Sequence, residues 1–242
     1  QYSKTLAQEK KIYTKDDFLR IYRDMRIIRE FETMLNEIKT KSVYNGVEYN
    51  NPGPAHLSIG QEASAVGQAY CLDINDFTFG SHRSHGEILA KGLRAIELLD
   101  DKELEKIMNE FWDGATLNVA KKAFKGGTVK ELGIRFLLYG ALAEVFARTT
   151  GFNKGLGGSM HTFFTPFGIY PNNAIVGGSG SIAVGAALYK KVNRKPGIVV
   201  ANLGDASMAR GPVWEGMTFA AMDQFKKLWA DDMKGGLPVI IN

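Results

Sequence analysis

Apolar residues recur at Phe18, Ile21, Met25, Ile28, Phe31, Leu35 and Ile38, every three or four positions. That spacing predicts a helix over 15–39 with one apolar face. Thr14 is placed to cap it and Asp17 to complete a capping box. Arg20, Arg23, Asp24, Glu30 and Glu32 take the alternate, charged positions. Residues 41–59, punctuated by Gly46, Pro52, Gly53 and Pro54, read as a loop. A short helix follows over 60–72, a strand over 77–80 and a helix from His85 to Gly92. Two further helices are predicted over 98–111 and 131–146, joined by a basic link at 121–128.

Beyond Gly151 the pattern changes. Loops dominate to Asn173, with a short strand at Ile175-Val176. Gly177-Gly178-Ser179-Gly180 precedes a helix over 181–192. The mainly apolar run 198–203 reads as a buried parallel strand. A helix over 212–229 with Pro212 in its first turn, a turn at Gly235-Gly236 and a strand over 237–241 complete the chain. This β-α-β-α-β order predicts an α/β fold built on a doubly wound parallel sheet.

Composition narrows the function classes. The 242 residues are 45% apolar and 23% charged, which suits a globular domain. One cysteine, Cys71, excludes a disulfide framework within the chain and is assigned to the core. No apolar run is long enough for a transmembrane helix. The start at Gln1-Tyr2-Ser3-Lys4 lacks a signal-peptide pattern, and a cytoplasmic setting is expected. The net charge of +4 is too small to argue for nucleic acid. Its distribution is more telling. No Asp or Glu lies between Glu144 and Asp205, and that window holds 11 of the 27 glycines with Arg148, Lys154, Lys190, Lys191, Arg194 and Lys195. Approachable backbone N–H groups in a positive field suit a phosphate-bearing small molecule.

Gly204-Asp205-Ala206-Ser207 comes directly after a buried strand, where parallel α/β sheets bind ligands. Asp205 reads either as a Mg²⁺ ligand beneath a diphosphate or as a helix cap. Ser81-His82-Arg83-Ser84-His85-Gly86 offers a guanidinium for phosphate and two imidazoles for proton transfer, or simply a capped turn. His56 and His161 also lie beside glycine-containing loops, and His161 ends Gly157-Gly158-Ser159-Met160. No nucleophile elbow, GxxxxGK[ST] loop or full dinucleotide fingerprint is present.

Taken in order, the blocks Arg26–Phe31, His56–Ala63, Ser81–Gly92, Gly155–His161, Ala174–Ala187 and Val199–Pro238 resemble the alpha subunit of thiamine-diphosphate-dependent 2-oxo acid dehydrogenases. These are the decarboxylating components of the pyruvate, branched-chain 2-oxo acid and acetoin dehydrogenase complexes. The resemblance implies a thiamine-diphosphate-binding fold. Asp205 would hold Mg²⁺, and Gly204, Ala206 and Ser207 would meet the diphosphate. Arg83 matches the family's diphosphate-binding arginine, with His82 where a tyrosine is usual. The backbones of Ala174 and Val176 would hold the aminopyrimidine. His56 and His85 would line the reactive side, and His161 ends the Gly-Gly-Ser-Met-His segment. The implied reaction is oxidative decarboxylation of a small 2-oxo acid with acyl transfer to a lipoyl-bearing acyltransferase. The implied partner is a beta subunit or fused beta-like region in a homo- or hetero-oligomer, with no membrane or nucleic acid. Ala206 replaces a usual glycine, 101–143 reads as a helical insertion, and residues 223–236 lengthen the motif. The closing asparagines of the motif are expected just beyond Asn242. The chain is therefore expected to be a single domain over 1–242 cut short at its C-terminus, and inactive alone. A non-catalytic assembly subunit of the same fold and a transketolase-like carboligase are the alternatives.

Overall fold

A computed structural model describes residues 3–51 and 53–242. Gln1, Tyr2 and the loop position Pro52 lie outside the described residues. A short helix α1 (Leu6–Glu9) leads into α2 (Lys15–Lys41). Thr14 and Asp17 form the expected capping box, with Asp17 N–H donating to Thr14 Oγ1 at 3.1 Å and Thr14 N–H to Asp17 Oδ2 at 2.9 Å. The predicted outer face needs correction at two positions, because Asp24 and Glu32 are buried with Ile28, Phe31 and Leu35.

The segment expected to be loop holds a hairpin, β1 (Val43–Tyr44) and β2 (Val47–Glu48). Asn45 and Gly46 both take positive φ in its turn (48° and 77°), as a tight primed turn requires. α3 (Glu62–Tyr70), β3 (Phe77–Ser81) and α4 (His85–Leu98) come next. The span 101–143 is helical, as α5 (Asp101–Glu110), α6 (Ala115–Lys122) and α7 (Val129–Val145). Thr128 and Glu131 form another capping box, which starts α7 before the predicted position.

β4 is Ile169–Asn173, within the stretch read as loop, and Ile175-Val176 is not strand. α8 (Gly178–Val192), β5 (Val199–Ala201), α9 (Gly211–Ala220), α10 (Asp223–Lys227) and β6 (Val239–Ile241) complete the order. The single helix predicted over 212–229 is thus two, broken at Ala221-Met222.

The four longer-range strands form one parallel sheet in the order β4-β3-β5-β6. β3 comes first in the chain and pairs with β4 on one side and β5 on the other. The connections leaving β3 and β5 therefore run in opposite directions, and a crevice opens between their carboxyl ends. Side chains of Phe79, Val199 and Ala201 pack with Ala183, Val184 and Ala187 of α8. A larger core joins α2, α4 and the 101–143 helices, with Leu89, Phe136, Leu137 and Phe152 almost fully sealed. Burying each such side chain contributes about 1.5–3 kcal/mol. Cys71, expected in the core, is exposed instead, because α3 ends just before it.

Glycine sets two close approaches in this core. A Cβ at Gly140 would lie 2.2 Å from the Phe152 ring, and one at Gly92 2.5 Å from Leu137. Gly140→Ala is expected to lower stability by about 1–3 kcal/mol. Gly185→Ala, at an exposed α8 position with open space around its Cβ, should raise it by up to about 1 kcal/mol. Urea midpoints of the two variants check this contrast.

One ion pair gives a pH dependence. Arg29 Nε and Nη2 donate to Glu62 at 2.7 and 2.9 Å. These bonds hold the Glu62 carboxyl down to about 2, against burial that pushes it up. The folded pKa is depressed, so the stabilisation is complete above the unfolded value near about 4.3 and disappears as pH falls toward 2. Arg29→Met should lower stability at neutral pH, and only modestly, since the arginine is half exposed. Acid titrations of stability should show wild type and variant converging near the bottom of that range.

Candidate functional site

The crevice between β3 and β5 holds a cavity of ≈ 520 Å³. Its walls are the carboxyl ends of the strands and the turns and helices next to them. Ser81, His82 and Arg83 come from the end of β3, Asn202 to Ser207 from the end of β5, and Asn242 from the end of β6. Val176 enters from the β4–α8 turn, Gln61 and Ser64 from the start of α3, and Glu87 from the first turn of α4.

Local chemistry shapes each wall. Gly80 is bare because Ser84 folds over it, with Ser84 Oγ 2.1 Å from where a Cβ would sit. The turn is held by Arg83 N–H to Ser81 Oγ at 3.2 Å, and Arg83 Nη1 reaches Leu57 O at 3.4 Å. The β5 loop is anchored by amides. Asn202 and Gln68 exchange two hydrogen bonds at 2.8 and 3.0 Å, and Asn242 Nδ2 donates to Asn202 Oδ1 at 2.8 Å. Ser207 N–H donates to Gly204 O at 2.9 Å, closing a tight turn. The N–H groups of Asp205 and Ala206, in the first positions of that turn, have no acceptor among the described residues.

Asp205 is exposed, and its carboxylate caps no helix: α9 begins later, with Arg210 in the cap position. Among the described residues no cluster of three or more His, Cys, Asp or Glu side chains could hold a metal by itself. A cation at Asp205 would need ligand oxygens from the bound molecule. Mg²⁺ is commonly held that way, by one or two carboxylates plus phosphates.

The four histidines separate. The rings of His82 and His56 meet edge to face with centroids 4.9 Å apart. Burial lowers the pKa of both, and the charges of His82, Arg83 and His85 push His56 further down. Both are neutral at neutral pH and able to donate and accept protons. His85 is not at the cavity wall. It is 3% exposed, with Nδ1 2.9 Å from Glu32 Oε1 and Nε2 3.0 Å from Ser159 Oγ and 3.1 Å from Ser159 O. Both nitrogens are used by the protein, so in this structure its work is to join α2, α4 and the 151–161 loop. His161 is exposed and lines a different cavity of ≈ 620 Å³, beside Phe111, Trp112 and Phe152. The crevice thus gathers His82, Arg83, Val176, Gly204, Asp205, Ala206 and Ser207, with His56 behind His82. Ala174 lies on the adjoining turn, outside the lining.

Two carboxylates that the sequence pattern did not single out hold the surrounding loops. Glu32, fully buried, accepts Ser58 N–H at 2.7 Å as well as His85. Glu144, also fully buried, accepts the N–H groups of Asn153, Gly155, Gly157 and Gly158 at 2.6–3.3 Å. Their signals were present. Glu32 falls in the apolar phase of α2, and Glu144 is the last acid before the acid-free window.

The family described as "Dehydrogenase E1 component" matches residues 24–116 and 127–227. The chain belongs to the dehydrogenase E1 component family. It is 30% identical over 219 residues to the alpha subunit of acetoin:2,6-dichlorophenolindophenol oxidoreductase of Bacillus subtilis, covering 90% of this chain and 51% of that protein. Identity to the pyruvate dehydrogenase E1 component subunit alpha of Rhizobium meliloti is 27% over 210 residues, or 87% and 46% of the two chains. The somatic mitochondrial form of that subunit from Sus scrofa is 26% identical over 211 residues, 87% and 41% of each. The chain spans about half the length of the curated relatives it matches. Among the described residues of this E1-family chain, no helix is long and apolar enough to cross a membrane.

Glu144→Gln tests the loop anchor. A neutral amide is a weaker acceptor for four N–H groups, so stability should fall by about 2 kcal/mol or more. Hydrogen exchange at Asn153, Gly155 and Gly157 should accelerate well beyond that of α2. Unchanged protection there would show that the carboxylate does not organise the loop.

Proposed function

We propose that this chain forms the diphosphate side of a thiamine-diphosphate and Mg²⁺ site in an E1 component that decarboxylates a 2-oxo acid. The observation that carries the reading is the pairing across one crevice. Arg83 stands on one wall, and Asp205 with two acceptor-free N–H groups stands on the other. The donor chemistry fits the group. A guanidinium and backbone N–H groups suit phosphate oxygens, and a lone exposed carboxylate suits a hard cation shared with them.

In this reading Arg83 and the N–H groups of Asp205 and Ala206 hold the diphosphate, and Gly204 and Ser207 shape the loop that presents them. Asp205 binds Mg²⁺ with the phosphates. Val176 and the neighbouring Ala174 backbone support the aminopyrimidine, since their turn opens onto the same crevice. Bound thiamine diphosphate supplies an electron sink for decarboxylation. Neutral His82 and His56 can move a proton at the crevice mouth. His85 acts through Glu32 and Ser159 by fixing loop positions, and His161 acts elsewhere.

The rest of the reaction lies in partners. A beta subunit or beta-like region supplies the other half of the site, and a lipoyl-bearing acyltransferase takes the acyl group. The relatives named for pyruvate and acetoin support a small oxo substrate. The exposed free thiol of Cys71 suits a reducing, cytoplasm-like compartment.

Calorimetric titration of the full-length protein with its partner should show saturable, Mg²⁺-dependent binding of thiamine diphosphate. Asp205→Ala and Arg83→Ala should each weaken it by about tenfold or more, the loss of one charge-assisted contact. No saturable binding by the wild type would defeat the reading.

A further inference from the structure

One group at the crevice is not used by that reading. Glu87 lies in the first turn of the fourteen-residue helix α4 and lines the cavity beside Ser81, His82 and Arg83. The residue is partly exposed, yet its Oε2 is sealed from solvent and has no hydrogen-bond partner. No lysine or arginine forms an ion pair with it among the described residues. Of the two nearest in sequence, Arg83 sends its guanidinium toward Leu57 O and Lys91 donates to Asp73 O.

A carboxylate oxygen sealed from water with neither cation nor donor disfavours the ionised form. Protonation removes that cost and gives the carboxyl an O–H that the unsealed Oε1 can present to the crevice. The neighbours point the same way. An ionised Glu87 would repel an anion that Arg83 and the loop N–H groups attract, whereas a neutral acid adds a donor to them. Buried carboxylic acids kept neutral to donate a hydrogen bond are known in enzyme sites.

We propose that Glu87 is protonated and that Oε1, its carboxyl oxygen not sealed from solvent, donates the proton to a phosphate oxygen of the molecule bound in the crevice, acting as a neutral positioning residue. The inference rests on the diphosphate reading of the cavity and adds a residue to it. Burial pushes the Glu87 carboxyl up, and the buried Glu32 on α2 adds to this, while its own N–H and His85 oppose it. The other charged or titratable groups that line the cavity are His82, Arg83 and, across it, Asp205, while α3 and the residue before it present only neutral Ser64 and Gln61.

The test compares wild type, Glu87→Gln and Glu87→Ala in the full-length protein, titrated with Mg²⁺–thiamine diphosphate and with Mg²⁺–pyrophosphate. Gln keeps a donor at nearly the same place and should bind within about threefold of wild type near neutral pH. Ala should bind about tenfold more weakly, the worth of a hydrogen bond to a charged acceptor. As pH rises through the Glu87 pKa, wild type should lose affinity relative to Glu87→Gln, because the donor becomes a repelling carboxylate. Matched urea midpoints for wild type and Glu87→Gln establish that the comparison is between folded proteins. Wild-type affinity in Glu87→Ala, or equal weakness of Gln and Ala, or a wild type to Gln ratio flat with pH, would each overturn the proposal. If pyrophosphate binds with this Glu87 dependence and thiamine diphosphate does not, the inference stands and the cofactor reading fails. If thiamine diphosphate binds and the variants are indistinguishable, the reverse holds. Binding of neither probe to wild type overturns both.

Discussion

The Glu32 carboxylate is the contact on which the rest of the site depends. It is a fully buried carboxyl group on α2, and a polar group there is tolerated only when hydrogen-bonded. Ser58 N–H and His85 Nδ1 meet that demand, and Ser159 then takes the far nitrogen of His85. One buried group thereby fixes four separate pieces of chain: α2, the 53–61 loop, the start of α4 and the glycine-rich 151–161 loop. Asn172 at the end of β4 joins the same chain by donating to Ser159 O at 3.2 Å. Such a network rigidifies as its members are satisfied, and of those named here Asn172 Oδ1 is the buried atom without a partner. The network therefore specifies where the loops around the crevice must lie, more than it adds net stability.

Glu144 does the same for the loop itself. Glycines free the backbone of 151–158 to turn, and that freedom would leave the loop without a shape. Four N–H groups converging on one carboxylate restore the shape without side-chain bulk. The sheet contributes the other half of the arrangement. With β3 central between β4 and β5, the crevice is a consequence of strand order, and the residues just past each strand face it by necessity. Arg83 and the free N–H groups meet there, while Lys190, Lys191, Arg194 and Lys195 of the acid-free window lie around a different cavity beside Asp232.

The regular parts of this fold were legible in the sequence for local reasons. The α2 period, its Thr14–Asp17 box and the helix–strand alternation from α8 to β6 all arise from neighbours in the chain. The Asn45-Gly46 turn carries a hairpin signal as well, but its strands are only two residues each and show no alternation. β4 was hidden because Ile169–Asn173 contains Pro171 and two asparagines, a composition that reads as loop, and it is strand only by pairing with β3. The site divides along the same line. Residues just past strands, His82, Arg83 and Gly204 to Ser207, could be placed by topology. His85 could not be separated from them, because its partners Glu32 and Ser159 are distant in sequence. His161 shares a motif with the site loops but opens onto the cavity beside Phe111 and Trp112. Glu87 was silent because an unpartnered oxygen is visible only once its surroundings are built.

The central claim is that the β3–β5 crevice holds a magnesium diphosphate group between Arg83 and the Asp205 loop. A crystal structure of the full-length protein grown with thiamine diphosphate and Mg²⁺ tests it most directly. The diphosphate should lie in the crevice within hydrogen-bond distance of Arg83 and the Ala206 N–H, with the metal on Asp205. Cofactor density beside Trp112 and His161, or a crevice closed to the ligand, would contradict it.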